Sequence, residues 1–249
     1  KDDYPNVRIG QWFLDPLNPR GPDYNRNKER ILDKIDLMDA TFLTTSPSAL
    51  NFLPNNEKNF YIPNPSDQSF ETLDNYKRSC NVDVFFALSH GVHRGKLKLG
   101  KKDDRIIFLE KLQKLTNDVK YDLYGVNNVQ PIWADHYFKT ISNAKMGLNL
   151  SRGEAIKYYS SDRITQIVGN GLVCLIDEKT KYKDFFTNDE MVFYKNLNDL
   201  AEKINKISRD DKLRRKIAKK GKDKYMKYFN STKVAEFMID KALELNNKN

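Results

Sequence analysis

The chain has 249 residues, 39% apolar and 12% aromatic, and its 14 Phe and 13 Tyr argue against disorder throughout, since disordered chains are poor in aromatics. A formal charge of +9 favours an anionic partner (nucleic acid, acidic lipid or a phosphorylated substrate) without selecting one. Two Cys exclude a disulfide scaffold and fit a reducing compartment; no apolar run approaches the roughly 18 residues of a membrane span, and three His without CxxC or HExxH argue against a metal site.

The chain opens on Lys1, without Met or a signal-peptide pattern, and reads as part of a longer protein. Residues 7–14 are the first predicted strand, stopped by Asp15-Pro16 and a Pro/Gly-rich loop to Pro22. Residues 27–38 have helical spacing, with Ile31, Ile35 and Met38 on one side, and 41–45 and 59–63 are further strands. Residues 64–80 lack periodicity and read as an inter-domain linker. A second block opens with a buried-strand pattern over 83–88, followed by a glycine- and cation-rich loop. Asp103-Asp104 are placed to cap a helix over 105–115. Then come a strand over 119–124 closed by Gly125, a helix over 134–144 and a strand over 146–150. A short helix over 162–168 ends in Gly169-Asn170-Gly171, a strong C-cap signal. Strands at 172–176 and 191–194 precede helices at 197–207, 210–228 and 231–246, the last with Ser231 as N-cap. Strands alternating with helices predict an α/β fold with parallel sheets, whose ligands sit outside the carboxyl ends of the strands.

The loops at those ends carry the candidate chemistry. The loop after Leu88 holds Gly91, His93, Arg94, Lys96 and Lys98. Glycines let backbone N–H groups approach a phosphate and cations neutralise it, although a solvated basic loop fits the same residues. It matches neither GxxxxGK[ST] nor GxGxxG. The strand end at Tyr124 and Gly125 is a further candidate. After Leu150 come Glu154, then Tyr158, Tyr159, Ser160, Ser161, Asp162 and Arg163 before the short helix. Their hydroxyls and the helix-start amides suit a diphosphate, Arg163 offsets its charge, and a tyrosine can stack on a base or sugar. A helix cap from Ser161 or Asp162 is compatible with that role. Asp15, at the first strand end, is the candidate general base, although a carboxylate opening a Pro-rich turn is commoner. The Lys/Arg run from 203 to 227 reads as a solvated helix with compositional bias, or as a face for acidic lipid or nucleic acid. No RRM, zinc-finger or basic-zipper signature accompanies it.

The stretch from Arg163 through Gln166 to Gly171, followed by the buried run 172–176, resembles glycosyltransferases of the GT-B type. The closest pattern is the group-1 family, in particular its spore-maturation-protein-like branch, with an Arg, an acidic residue three on and a Gly eight on. Residues 185–200 resemble that family's closing strand and following helix, 212–221 its basic helix, and 60–65 its inter-domain joint. The resemblance implies a Rossmann-like donor domain and part of a second Rossmann-like domain. Its boundaries are residues 1–66 for the acceptor-side part, 67–80 for the linker, 81–230 for the donor domain, and 231–249 for a helix returning to the first part. It implies transfer of a sugar from a nucleotide donor to a saccharide or lipid-linked acceptor, as in cell-surface polysaccharide synthesis. Neither metal nor other cofactor is implied. The expected location is cytoplasmic, with peripheral contact to acidic membrane as a further partner mode and no specific nucleic acid. Arg94 and Arg163 would stabilise charge on the departing phosphate, with Asp15 as base. Group-1 enzymes usually carry Glu-x7-Glu; those positions here are Tyr158 and Gln166, while Glu154 and Asp162 keep the spacing four residues earlier. Gln166 can bond ribose hydroxyls but holds no charge. Two rivals stay open: a non-catalytic nucleotide-binding homologue and a basic nucleic-acid-binding module.

Overall fold

Two all-parallel sheets order the chain. The computed structural model describes residues 4, 6–54, 56–88, 92–93, 96–97 and 104–244. The first sheet contains β1 (Gly10–Phe13), β2 (Ala40–Leu43) and β3 (Asn59–Tyr61) in that spatial order, with α1 (Tyr24–Ile35) crossing between β1 and β2. The helix starts three residues earlier than its spacing predicts: Asn27 N bonds Asp23 O at 2.9 Å, and its buried side chain donates from Nδ2 to the Pro16 carbonyl at 2.9 Å.

The second sheet begins with β4 (Val82–Ala87). A small antiparallel pair follows, β5 (Val92–His93) with β6 (Lys96–Leu97), and then α2 (Asp104–Leu115) and β7 (Tyr121–Tyr124). Next come α3 (Ala134–Ile141), β8 (Ala144–Asn149), α4 (Arg163–Gly169), β9 (Val173–Asp177) and β10 (Val192–Tyr194). Three helices close the chain: α5 (Leu197–Arg209), α6 (Asp211–Tyr228) and α7 (Ser231–Glu244). The five strands lie in the order β10-β9-β8-β4-β7. The order reverses between β4 and β8, the place where doubly wound sheets open a crevice for ligand.

Both faces of this sheet are covered, which explains its continuous apolar strands. Val84 and Phe86 point to one side, with Leu109, Leu112, Leu200 and Ile204. Phe85 points to the other, with Ile164, Ile167 and Tyr225. At the end of α4, Gly171 has φ +74; its N–H bonds Val168 O and that of Leu172 bonds Ile167 O, a Schellman cap that turns the chain into β9.

The aperiodic stretch 64–80 is packed in place by side chains. Asn75 is fully buried and donates to the carbonyls of Ile141 and Ala144 at 2.8 and 2.9 Å. Arg214 is fully buried too, bonding Asn75 O and Arg78 O at 2.7 and 3.0 Å and the Asp211 carboxylate. The basic run is therefore not uniformly a solvated face. Several of its cations hold carboxylates: Lys219 with Asp223, Lys220 with Asp189, Lys222 with Asp74 and Lys224 with Glu190.

Helix α7 lays Val234 on Ala40 and Phe42 of β2 and on Ile62, just past β3. Its cap is Asn230, whose Oδ1 accepts from Lys233 N, not Ser231, whose hydroxyl is drawn to Asp67 at 2.5 Å. Among the described residues no helix is long and apolar enough to cross a membrane.

Candidate functional site

Arg163 opens α4 directly beneath the sheet reversal. Its Nε donates to Ala87 O at 3.1 Å and its Nη1 to Leu150 O at 3.2 Å. One side chain thus joins the carboxyl ends of β4 and β8. Ser161 Oγ accepts a third bond at 2.9 Å, and the guanidinium lies over the Phe86 ring at 5.0 Å. Such anchoring presets the fork of donors and lowers the entropy lost on binding. Burial, with the charge of nearby Arg105 adding to it, lowers the pKa of Arg163.

A cavity of about 420 Å³ opens beside this group. Asp162, Arg163, Gln166 and Asn170 supply one wall from α4, and residues 131–134 with Tyr137 and Phe138 supply another. Phe70 and Glu71, from the aperiodic stretch, also line it. Tyr137 donates its hydroxyl to Gln166 Oε1 at 2.6 Å, which leaves the Gln166 amide N–H₂ as the group to offer a ligand. Burial pushes the Tyr137 phenol well above its ordinary range, so it stays a donor at neutral pH.

Of the candidate residues, Asp162, Arg163 and Gln166 share this cavity, with Ser161 orienting Arg163. The Asp162 carboxylate makes no cap bond to the helix. Ser160 serves the scaffold: it is buried, accepting from Asn149 Nδ2 at 2.9 Å on Oγ and from Asn64 Nδ2 at 2.7 Å on its carbonyl. Tyr159 lines a second, smaller cavity of about 60 Å³ with Asn18, Asn149 and Asp177. Tyr158 has φ 63 and turns into an aromatic cluster with Tyr61 and Phe185, its hydroxyl on Asp184 at 2.8 Å. Glu154 is exposed and paired with Arg20 at 2.7 Å. Tyr124 packs on Phe85 and His136. Gly125 stands where a Cβ would come within 1.9 Å of Leu88 O. Asp15 lies at the end of β1 and is ion-paired with Arg30. Gly91, Arg94 and Lys98 lie outside the described residues, and for His93 and Lys96 only the backbone of the β5–β6 pair is described.

Sequence reasoning missed Phe70, Glu71, Trp133, Tyr137 and Asn170 of the cavity lining, and Arg105, whose charge is felt by Arg163. Glu71 had no signal because its segment has no period. Arg105 had one, a cation opening the helix after the basic loop.

Architecture and neighbours agree on the class. S. aureus TarM, as a variant solved with Fondaparinux, alpha-GlcNAc-glycerol and UDP, superposes with a TM-score of 0.65 at 15% identity, covering 99% of this chain and 52% of that one. Anabaena HepE, solved with UDP and glucose, gives 0.66 at 10% identity over 94% of this chain and 70% of that one. Sucrose-phosphate synthase from Thermosynechococcus elongatus gives 0.60 at 12% identity over 100% and 70%. At these identities the likeness carries the fold, which is the GT-B fold of group-1 glycosyltransferases. The chain spans about half the length of TarM. No curated protein sequence matches it. A family model described as glycosyl transferase-like matches residues 105–240, more than half of the chain, and the chain belongs to that family.

Proposed function

We propose that the chain is the donor half, with part of the acceptor half, of a glycosyltransferase that moves a sugar from a nucleoside diphosphate to a hydroxyl of a saccharide or lipid-linked acceptor. The observation that carries this reading is Arg163 tied to Ala87 O and Leu150 O at the sheet reversal, beside a cavity large enough for a nucleotide. Its place at the start of α4, three residues before Gln166 and eight before Gly171, favours the spore-maturation-protein-like branch. In this reading residues 1–66 are acceptor-side, 67–80 the joint, 81–230 the donor domain and 231–249 the returning helix. The location is the cytoplasm, which suits two free, buried cysteines.

Departure of the nucleotide builds charge on the leaving phosphate. Donors aimed there stabilise the transition state more than the ground state. Arg163, its guanidinium held by two carbonyls and a hydroxyl, is such a donor without reorganisation. Gln166 offers its amide to the ribose. Arg94, with Gly91, His93, Lys96 and Lys98, is proposed as a further set of phosphate contacts.

A thermal-shift screen tests the reading: nucleoside diphosphates should raise Tm, because a ligand of the folded state stabilises it by mass action. No shift with any of them, and a steeply salt-dependent shift with DNA or RNA oligomers, would reject it. A nucleotide shift without sugar release in the presence of acceptor would mark a binding protein, an outcome that Gln166 in the acidic position makes worth testing.

Cation side chains serving the leaving phosphate make transfer independent of divalent metal. Chelator is expected to leave the rate within about twofold of the untreated protein, far short of the several kcal/mol a Lewis-acid ion supplies. Loss restored by added divalent metal would reject this. Asp15 is proposed as the base on the acceptor hydroxyl. Asp15→Asn is then expected to lower kcat about 100-fold with KM little changed, the scale of general-base catalysis. An unaltered kcat would leave Asp15 as the turn residue paired with Arg30.

A further inference from the structure

The nucleotide cavity carries Arg163 with Asp162 at the start of α4 and a carboxylate without a cation in the lining, Glu71, at the end of that helix. Arg163 stands at the start of α4; Glu71 packs against its last residue, where a Cβ on Gly169 would lie 2.4 Å from Glu71 Cγ. The six-position step from one to the other corresponds to about 9 Å along the helix axis. That is the order of the distance from a diphosphate to the far edge of its base. Phe70, next to Glu71 in the chain, and Trp133 also line the cavity and are 67% and 53% exposed. Exposed aromatic faces at a cavity mouth suit stacking on a planar base.

Glu71 itself is short of compensation. Its Oε2 accepts from Asp67 N at 2.8 Å. Lys222, the cation beside it, spends its ammonium on Leu73 O at 2.7 Å and Asp74 at 2.9 Å, and reaches only the Glu71 backbone carbonyl, at 3.5 Å. Among the described residues Glu71 has no ion-pair partner. Burial raises the pKa of its carboxyl despite the amide bonds it accepts. A half-buried carboxylate on a residue that lines a cavity has lone pairs left for N–H donors of whatever enters.

We infer that Glu71 reads the base, and that the base is guanine, so the donor is a guanosine-diphosphate sugar. Guanine presents a ring N–H and an exocyclic amine side by side, matching the two oxygens of one carboxylate. Uracil sets its single N–H between two carbonyl acceptors, which a carboxylate repels. Adenine and cytosine place one amine beside a ring-nitrogen acceptor. The neighbours solved with UDP share 15% and 10% identity with this chain, which carries fold and not base choice.

The inference rests on the nucleotide-sugar reading, and calorimetry on the chain separates the two. Titrations of GDP, IDP, UDP, ADP and CDP are expected to rank GDP first, by about tenfold or more over UDP, ADP and CDP. IDP, which lacks the exocyclic amine, should fall between. Glu71→Gln should cut GDP affinity about 10- to 100-fold and should not lower that for UDP, whose carbonyls no longer face a charge, and should narrow the GDP-over-IDP margin. These ratios are read within one protein preparation, so a partly unfolded variant does not imitate them. Equal or tighter binding of UDP, with affinity still dependent on Arg163, overturns the guanine assignment and keeps the nucleotide site. An unchanged GDP-to-UDP ratio in Glu71→Gln removes Glu71 from base recognition. Binding of none of the five overturns both.

Discussion

Arg163→Ala is expected to weaken nucleoside-diphosphate binding by about 1.5–3 kcal/mol, the scale of a charge-assisted hydrogen bond, and to lower the rate of sugar transfer about 100- to 1,000-fold. The two effects differ because the guanidinium meets more negative charge in the transition state than in the bound donor. Lysine does not substitute for it. Arg163 places Nε on Ala87 O and Nη1 on Leu150 O and Ser161 Oγ, while nothing among the described residues accepts from Nη2. A single ammonium cannot keep the two strand ends joined and also present a donor to phosphate. Arg163→Lys should therefore recover less than half of the lost binding energy. Calorimetry with nucleoside diphosphates checks the first figure, and initial rates at saturating donor check the second. Affinity equal to wild type in Arg163→Ala would take the residue out of the site. The substitution also frees two strand-end carbonyls, so the melting temperature is measured alongside to keep stability and binding apart.

Gly125→Ala is expected to cost the fold about 3 kcal/mol or more, the range reserved for strained or clashing positions. Two causes add. The backbone there has φ +73, which an L side chain adopts at a cost of about 1–2 kcal/mol. A Cβ would meet Leu88 O at 1.9 Å and Leu88 C at 2.9 Å, both backbone atoms of the strand end that carries the site. Relief would require β4 and β7 to part where Leu88 N bonds Tyr124 O. Gly10→Ala is the control, since its nearest contact is the flexible edge of Phe42 at 3.4 Å. Urea unfolding should separate the two variants clearly, with Gly10→Ala near wild type. Similar losses in both would mean that the close approach at Leu88 is not what makes position 125 a glycine.

Much of the fold was legible in local spacing. The helix after Ser161 begins within a residue of its expected start, and its Gly-Asn-Gly ending forms the cap that those residues signal. Strands at 82–87, 144–149 and 173–177 fall where apolar runs lie between turn signals. The stretch 64–80 was not legible. Its order comes from Asn75, Arg214 and Lys222 bonding backbone carbonyls across the molecule, and such bonds leave no period behind. Tyr158 shows the converse. Its neighbours in sequence point to a ligand loop, yet its positive φ rotates it into the Tyr61–Phe185 cluster.

The sequence by itself determined the alternation of strands and helices and the ends of α4, and it pointed to Arg163 as the candidate for an anion. These depend on neighbours a few positions apart, where hydrogen bonding and hydrophobic period act directly. Tertiary structure alone decided the strand order that sets β4 beside β8, and hence that Arg163 reaches back 76 positions to Ala87. It alone brought Glu71 against Gly169 and into the cavity lining. Contacts between distant segments are selected by how whole surfaces pack, and no short window of residues contains that information.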